Sequence, residues 1–533
     1  MVKSTAHEKT DLQAWLKMVA ALQQASDWPE DEKPIEMKQT HISVLLLSRN
    51  YVVKLKKPVD FGFLDYTTLD KRARAVEDEV RLNRRLCRDV YIGYGNVIDT
   101  DGQISFSGRQ GTIVDHCVWM KRLPDDRMLD QLVARHTVTE TMIDRIAARL
   151  SGFHRTARRG PEVAKWGSLD EIRHNWDENF AQTEAFVGRT IKAADYEAIR
   201  AWVQQWLETK ADLFQHRLQT GHIVDGHGDV RCESVCVTDN EIYIYDCIEF
   251  NDRFRCDDIA NEVAFLAMDL DARGRPDLGY YFTEAYERRI GDNDLFTLLP
   301  FYRCYRAYVR GKVLSFELNE SEFSAAEKDV AAQQAQHYFD LAKRYATPLL
   351  QPTVIAVTGL SGTGKTAVAR AIAGELGLRV VSADAVRQEL FGTRKQPAQY
   401  EQGAYTPEAN RLTYDKLIAT GREFLQRDGG VILDATFRHA EDQVQARTMA
   451  VEAGAQWRMI ECQLAPELVK ERLEKRTAQH EGLSDATWEI YLQQKEHPVA
   501  SVPTISSLKL DTAGNLSTTA QTATDWLRSQ NGR

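Results

Sequence analysis

The spacing of hydrophobic residues divides the chain into three stretches of different character. From residue 36 to about 121, short segments of alternating apolar and polar residues predict strands, with one long helix from about Leu69 to Cys87. From 126 to 345 helical spacing dominates, with a β-rich interruption at 223–249. After residue 353 strands and helices alternate, which predicts a parallel sheet covered on both faces.

These changes of pattern predict four segments. A helical extension occupies residues 1–35, a mixed domain 36–345, a linker 346–353 and an α/β domain 354–533. In the linker, Pro348 and Pro352 flank two leucines. A chain of 533 residues is too long for one ordinary core, which agrees with a multidomain organisation.

Composition narrows the class of protein without naming a function. The apolar content of 43% and the charged content of 27% are typical of a globular protein. The net charge is −10, and residues 352–533 hold 21 Lys and Arg against 22 Asp and Glu, so no overall field attracts nucleic acid or an anionic membrane. We find no signal peptide and no apolar run long enough for a membrane span. Eight cysteines without an obvious pairing pattern predict a cytoplasmic location.

The strongest motif begins at Val354. An apolar strand leads into Gly359, four further residues and then Gly364-Lys365-Thr366, which is the pattern of a phosphate-binding loop, or P-loop. Glycines let backbone N–H groups surround an anion, and the following helix presents its positive end to the same phosphates. We expect ATP or GTP with Mg²⁺ here. The predicted binding residues are Gly359, Ser361, Gly362, Thr363, Gly364, Lys365 and Thr366, with Thr366 also a magnesium ligand.

Two acidic residues follow predicted strands, where α/β sheets carry their ligands. Asp384 is positioned to take the proton from an acceptor hydroxyl, with Arg387 steadying the acceptor or a phosphate. Asp434 ends an apolar strand and is a candidate second support for Mg²⁺. A structural helix cap is the alternative role for both acids.

Two arginines, Arg472 and Arg476, lie four residues apart on one predicted helix. This spacing puts them on the same face, from which they could close over the phosphoryl group as it gains charge. A solvated charged helix is the alternative.

With these pieces, residues 352–533 resemble a small P-loop kinase of the group that includes gluconate kinase, adenylylsulfate kinase, the zeta toxins and the kinase domain of polynucleotide kinase. The resemblance rests on the loop 359–366, the Ser-Ala-Asp-Ala-Val-Arg segment, the Leu-Asp-Ala-Thr segment and the paired arginines. It implies a hydroxyl kinase and leaves the acceptor open.

A second constellation lies in the 36–345 segment. Lys54 in a strand and Glu79 or Glu77 in a helix precede His227-Gly228-Asp229, and Asp246 follows seventeen residues after Asp229. That is the order of a protein-kinase-like fold: strand lysine, helix glutamate, catalytic loop, metal-binding aspartate.

This segment resembles the aminoglycoside phosphotransferase family, and the whole chain resembles bacterial fusions of such a domain with a P-loop kinase. The resemblance implies a two-lobed α+β domain before the α/β domain. In it, Lys54 and Glu79 would serve nucleotide phosphates, Asp229 would orient or deprotonate an acceptor hydroxyl, and Asp246 would ligate Mg²⁺.

One position departs from the family pattern. The loop His-Gly-Asp-x-x-x-x-Asn ends here on Ser234, whose hydroxyl is a poorer metal ligand than an amide oxygen. Catalysis and a purely binding or regulatory role therefore both stay open for this domain. Cys232, Cys236, Cys247 and Cys256 cluster nearby, and packing is favoured over zinc binding because their spacings are not paired.

The sequence thus predicts an ATP-dependent, bifunctional phosphotransferase acting on a hydroxyl of a small polar or nucleotide-type acceptor, such as a sugar or an aminoglycoside. A nucleic-acid end kinase is one alternative, which the charge balance does not favour. A nucleotide-dependent, toxin-like or regulatory switch is the other. The oligomeric state stays open.

Overall fold

We describe the protein from a computed structural model. The structure describes residues 10–62, 64–107, 111–320, 323–392, 406–479, 487–496 and 507–530, and of residues 476–479 only the backbone. The chain forms two compact units. The first unit is Met1–Thr137, Arg149–Glu171 and Phe214–Glu262, and the second unit is Val138–Ala148, Ile172–Leu213 and Val263–Arg533. The boundaries predicted at 35, 345 and 353 follow motifs and remain predictions.

The described residues of the first stretch of chain form an antiparallel sheet with three α-helices. The strands of this sheet lie in the order β1-β2-β3-β6-β4-β5, so β3 is a central strand. The elements are α1 (Leu12–Gln23), β1 (Glu36–Gln39), β2 (Ser43–Leu47), β3 (Tyr51–Lys56), α2 (Leu69–Asn83), β4 (Tyr91–Thr100), β5 (Gln103–Ser105), β6 (Thr112–Lys121) and α3 (Leu129–Ala134).

Successive side chains of β3 point to opposite faces of this sheet, so the two faces carry different residues. Val53 and Leu55 join a core with Trp15 and Val19 of α1, so the N-terminal helix covers that face. Lys54, between them in sequence, points to the other face, as the two-residue period of a strand requires.

The middle stretch is mostly helical, with four short strands. The pairs β7–β10 and β8–β9 are antiparallel. The elements are α4 (Glu140–Thr156), α5 (Pro161–Ala164), α6 (Leu169–Thr183), α7 (Ala193–Thr209), α8 (Ala211–Gln219), β7 (Ile223–Asp225), β8 (Val235–Val237), β9 (Ile242–Ile244), α9 (Asp252–Arg255), β10 (Cys256–Asp258), α10 (Ile259–Ala272), α11 (Pro276–Ile290), α12 (Leu295–Glu317) and α13 (Ala325–Tyr345).

The last stretch is an α/β domain with the predicted parallel sheet. The strand order is β12-β13-β11-β14-β15, and every neighbouring pair is parallel. The elements are β11 (Thr353–Thr358), α14 (Lys365–Leu376), β12 (Arg379–Ser382), α15 (Ala383–Phe391), α16 (Pro407–Asp428), β13 (Gly430–Asp434), α17 (Ala440–Glu452), β14 (Gln456–Gln463), α18 (Pro466–Gln479), α19 (Trp488–Glu496), β15 (Ser507–Asp511) and α20 (Leu516–Ser529).

Four details of the sequence-based assignment are wrong. Helical spacing over 194–220 predicts one helix, but this stretch forms two, α7 and α8. The short helices α15 and α19 were not predicted, since nine residues give too few turns for a clear apolar period. The polar edge strand β1 was also missed, because its pairing with β2 and not its own pattern creates it. Thr68 caps α2 in place of Thr67, whose hydroxyl bonds to Asp65 at 2.6 Å.

Within the second unit, a buried arginine ties α12 to the helix that follows the P-loop. Arg303 Nη1 lies 2.9 Å from Asp271 Oδ2 and donates at 2.9 Å to the carbonyl of Gly374 in α14. Tyr345 donates its hydroxyl to the same carboxylate. Burial raises the pKa of Asp271 to about 6, although Arg303 opposes this rise.

Within the first unit, Glu262 of α10 holds the loop that follows β7. One of its carboxylate oxygens accepts the backbone N–H groups of His227 and Gly228, and the other lies 2.6 Å from His154 Nε2. Burial alone would raise the pKa of Glu262, but His154 and these N–H donors lower it to about 2. None of the described helices is long and apolar enough to cross a membrane.

Arg303→Met should lower the free energy of unfolding by about 3–5 kcal/mol at pH 7, because it leaves the Asp271 carboxylate buried without its guanidinium. Urea unfolding measures the loss, which should shrink as the pH is lowered and Asp271 takes up a proton. The double variant Arg303→Met/Asp271→Leu should regain stability, since no charge stays buried. Equal instability of the single and double variants would contradict this assignment.

Glu262→Gln should lower the free energy of unfolding by about 3 kcal/mol at pH 7. This is the free energy that corresponds to the shift of the Glu262 pKa from 4.5 to about 2. Because the folded-state pKa lies below the ordinary value, this stabilisation is complete above pH 4.5 and is lost as the pH falls through 2. Thermal unfolding between pH 7 and pH 2.5 should show the gap to wild type closing in acid. A gap that stays constant with pH would refute the role given to the carboxylate.

Candidate functional site

The P-loop joins β11 to α14, and its glycines are fixed by both backbone and packing. Gly359, Gly362 and Gly364 have φ angles of 137°, 79° and 89°. A Cβ at Gly359 would lie 2.5 Å from the carbonyl oxygen of Cys462, and one at Gly362 would lie 2.9 Å from side-chain atoms of α18. Residues with a side chain therefore do not fit at these positions. With glycines there, the backbone N–H groups at the start of α14 stay accessible to an anion.

The lysine of the P-loop motif, Lys365, bonds to the backbone of the loop itself. Lys365 Nζ donates to the carbonyl of Leu360 at 3.0 Å, which keeps the ammonium group beside the loop. Thr363 donates its hydroxyl to the same carbonyl at 2.8 Å, and Thr512 donates to the Thr363 carbonyl at 2.7 Å. The charge of Lys365 is thus held where phosphates would lie against the N–H groups of the loop.

Thr366 and Asp434 are in direct contact. The hydroxyl of Thr366 donates to Asp434 Oδ2 at 2.7 Å, and Asp434 is only 3% exposed at the end of β13. Burial raises the pKa of Asp434, while Lys365 and the Thr366 hydroxyl oppose the rise. A hydroxyl and a carboxylate side by side at a phosphate loop are the donor set that Mg²⁺ with a nucleotide requires, so the residues fit that metal.

Asp384 lies inside the first turn of α15, because Ser382 is the residue before the helix. Its Oδ1 accepts from Arg387 Nη1 at 2.7 Å, and Arg387 Nη2 lies 3.3 Å from Asn410 Oδ1 of α16. Asp384 is therefore a second-position helix residue and not the helix cap. The parallel neighbours β12 and β13 bring it to the same sheet edge as Asp434.

Two arginines, Arg472 and Arg476, are predicted to close over the phosphoryl group, and the structure describes the side chain of one of them. Arg472 Nη2 donates to the carbonyl of Thr512 at 2.6 Å, and its Nη1 would lie 3.1 Å from a Cβ at Gly364. Arg472 thus stands beside the P-loop. Arg476 lies in the same helix, α18, with its side chain outside the described residues.

Two residues that the sequence did not single out also shape this site. Gln494 Oε1 accepts the backbone N–H of Ser361 at 2.9 Å, from a helix, α19, that sequence reasoning missed. The hydroxyl of Tyr414 accepts the N–H of Phe437 at 2.9 Å and holds the turn after β13, where Phe437 has a φ of 44°. Neither belongs to a motif, so no sequence signal marks it.

The first unit contains the other predicted constellation. Lys54 Nζ lies 2.9 Å from Glu79 Oε1 and 2.6 Å from Asp246 Oδ1. Glu79 is fully buried and Glu77 is exposed, so the structure selects Glu79. The surrounding protein desolvates Asp246 and would raise its pKa, but the ammonium of Lys54 lowers it to about 2.

A second lysine, which sequence reasoning missed, shares the same glutamate. Lys56 Nζ lies 2.5 Å from Glu79 Oε2 and also pairs with Glu249, which accepts the hydroxyl of Tyr66 at 2.6 Å. The two-residue spacing of Lys54 and Lys56 in one strand is the sequence signal that could have revealed the pair.

The loop after β7 places Asp229 beside an arginine. Arg231 Nε and Nη2 donate to the two oxygens of Asp229 at 2.8 and 3.1 Å. Ser234 accepts the N–H of Arg231 at 2.9 Å and lies 2.9 Å from the backbone carbonyl of Asp229. Its hydroxyl therefore braces the loop.

A cavity of about 560 Å³ connects these groups. Lys54, Asp229 and Asp246 line it together with the β1–β2 turn at 40–42. The β2–β3 turn at 48–50 instead binds Glu32 through Ser48 and Asn50. Apolar lining residues suited to a flat ring are Leu45, Leu47, Val52, Met120, Leu123 and Met128.

All eight cysteines are buried, and none forms a disulfide bond. Across the described part of the chain, no group of three or more His, Cys, Asp or Glu side chains is arranged to hold a metal ion by itself. Burial raises the pKa of Cys236 to about 11 and that of Cys247 to about 12.

The α/β part of the chain matches a known protein family. The model of the family described as "AAA domain" matches residues 354–498, which include the P-loop, Asp384, Asp434 and Arg472.

Two solved structures are similar to parts of this chain. The GDP complex of aminoglycoside 2'-phosphotransferase-IIIa is 11% identical, covers 62% of this chain and 99% of its own, and has a TM-score of 0.38. A gluconokinase from Sinorhizobium meliloti is 20% identical, covers 33% and 93%, and has a TM-score of 0.25.

One relative matches along most of the chain. "Uncharacterized protein Rv2004c" of Mycobacterium tuberculosis is 31% identical over 466 residues, which are 86% of this chain and 89% of that protein. The present chain joins a part with an antiparallel sheet to a P-loop α/β domain. It therefore belongs to the same family as Rv2004c of Mycobacterium tuberculosis.

Proposed function

We propose that the protein is an ATP-dependent phosphotransferase whose P-loop domain moves the γ-phosphate to a hydroxyl of a small polar or nucleotide-type acceptor. The observation that carries this proposal is the convergence of Asp384, Asp434 and Thr366 at one end of the parallel sheet beside the loop. A site that only bound a nucleotide would need no carboxylate at the position of Asp384.

Each side chain then has a definite task. Asp384, oriented by Arg387, accepts the proton of the acceptor hydroxyl as its oxygen bonds to the γ-phosphorus and the bond from that phosphorus to the β-phosphate oxygen breaks. Lys365 and Arg472 stabilise the charge on the leaving and transferred groups. Thr366 and Asp434 would hold Mg²⁺, which when bound neutralises and orients the phosphates.

The first unit is proposed as a second nucleotide site. Lys54 would bind phosphates, Asp246 would ligate Mg²⁺ and Asp229 would orient an acceptor hydroxyl, so the unit either acts on a small polar compound or regulates the other site. Ser234 as a further ligand would have to give up a bond to the loop backbone. The eight buried thiols fit the cytoplasmic location proposed for the protein.

The test is labelling with γ-labelled ATP and a cell extract whose small-molecule and RNA fractions are kept apart. Asp384→Asn should lower the labelling rate about 10²–10⁴-fold with nucleotide binding retained, and Lys365→Ala should abolish labelling that depends on the P-loop. Asp229→Ala reports on the first unit. Label in RNA would identify an end kinase, and tight nucleotide binding without any labelled product would identify a switch.

Gln494→Ala should raise the KM for ATP about fivefold and leave kcat nearly unchanged. The substitution removes one hydrogen bond that shapes the P-loop, worth about 1 kcal/mol, but no group that touches the transferred phosphoryl. Gln493→Ala, which changes an exposed glutamine of the same helix, is the matched control and should stay near the wild-type KM. A change in kcat alone would contradict this role.

A further inference from the structure

Five side chains of the first unit form a line of alternating charge. Lys56 bridges Glu249 and Glu79, and Lys54 bridges Glu79 and Asp246. Asp246 lies at the half-exposed end with 52% of its side chain accessible, whereas Glu79 and Lys56 are fully buried. Both ends of the line, Asp246 and Glu249, thus lie at the cavity, while Glu79 and Lys56 lie in the core.

Glu79 is the member of this line that most needs a partner. It lies on α2, is 0% exposed, and has one oxygen directed to each lysine, at 2.9 Å from Lys54 and 2.5 Å from Lys56. A carboxylate buried this deeply is costly unless it is paired. Lys56 meets this requirement with an ammonium group that is fully buried, and its other partner, Glu249, lines the cavity with only 4% of its side chain exposed.

Lys54 is in a different position. Its partner Asp246 is the accessible one, and both line the cavity, so a phosphate that enters can take the place of this contact. If Lys54 were the only partner of Glu79, any shift of its ammonium toward a phosphate would leave that carboxylate unpaired. With Lys56 present, Glu79 stays paired while Lys54 changes partners.

We propose that Lys56 is a positioning residue for the nucleotide site of the first unit. It fixes Glu79, and through Glu79 it aims Lys54 at the cavity and lets Lys54 exchange Asp246 for a nucleotide phosphate. This role rests on the nucleotide binding proposed above for the same cavity. Tyr66 completes the arrangement, because its hydroxyl holds Glu249 and its ring lies 5.5 Å from Lys56 Nζ.

The experiment uses the full chain with Lys365→Ala, so that the P-loop no longer contributes to binding. A fluorescent ATP analogue with Mg²⁺ is the probe, and its Kd is measured together with the thermal unfolding temperature. The substitutions are Lys54→Met, Lys56→Met, Lys56→Arg, the pair Lys56→Met/Glu249→Gln, and the surface control Lys71→Met on the same helix as Glu79.

Lys56→Met should weaken probe binding about tenfold or more, the usual cost of losing a group that orients a ligand-binding side chain. Lys56→Arg should recover most of the affinity. The pair Lys56→Met/Glu249→Gln should recover thermal stability, since it removes one charge of each sign, without recovering affinity. Lys71→Met should match the background protein.

Three results would overturn the inference. Wild-type affinity of Lys56→Met would remove the positioning role, and so would recovery of both stability and affinity in the double variant, because Lys56 would then only balance Glu249. In both cases Lys54→Met must still lose binding. Absence of probe binding in the Lys365→Ala background itself would refute the nucleotide site of the first unit, and the role of Lys56 with it.

Discussion

Glu79 and Asp434 are carboxylates held in the interior of their units, and the protein stabilises each by placing cationic or hydroxyl donors against it. Asp434 has the hydroxyl of Thr366 and the nearby charge of Lys365, and Glu79 has two lysines. An unpaired carboxylate at either depth would cost several kcal/mol. The need to pair a buried acid therefore brings together the side chains that a phosphate and its metal ion would later use.

The P-loop is supported by elements that lie far from it in the sequence. Its glycines are packed against α18 and β14, Arg472 bonds to the chain after β15, and Gln494 of α19 takes a loop N–H. The loop is thus enclosed by elements that follow it by a hundred residues or more. Its shape does not depend on its own sequence alone, and nucleotide affinity should respond to residues outside the motif.

In the second unit, the α/β domain and helices from the 36–345 segment share one interior. Arg303 reaches the carbonyl of Gly374, and Arg370 of α14 pairs with Glu140 at 2.5 Å. Both contacts act on the helix that starts at Lys365, so helices that lie far before the motif restrain the nucleotide-binding helix. This arrangement suits a fused protein better than two independently moving modules.

The sequence by itself determined the P-loop, the acids at the strand ends, the parallel sheet and the strand-lysine, helix-glutamate, loop-aspartate order, because these features are local or repeat with a fixed period. Only the tertiary structure chose Glu79 over Glu77 and brought Lys56 to Glu249. It also turned Ser234 toward the loop backbone and placed Glu262 and Gln494 against backbone N–H groups. These choices depend on which groups meet in the folded chain, at separations from 5 residues for Ser234 and Asp229 to 193 for Lys56 and Glu249, and no local pattern records such meetings.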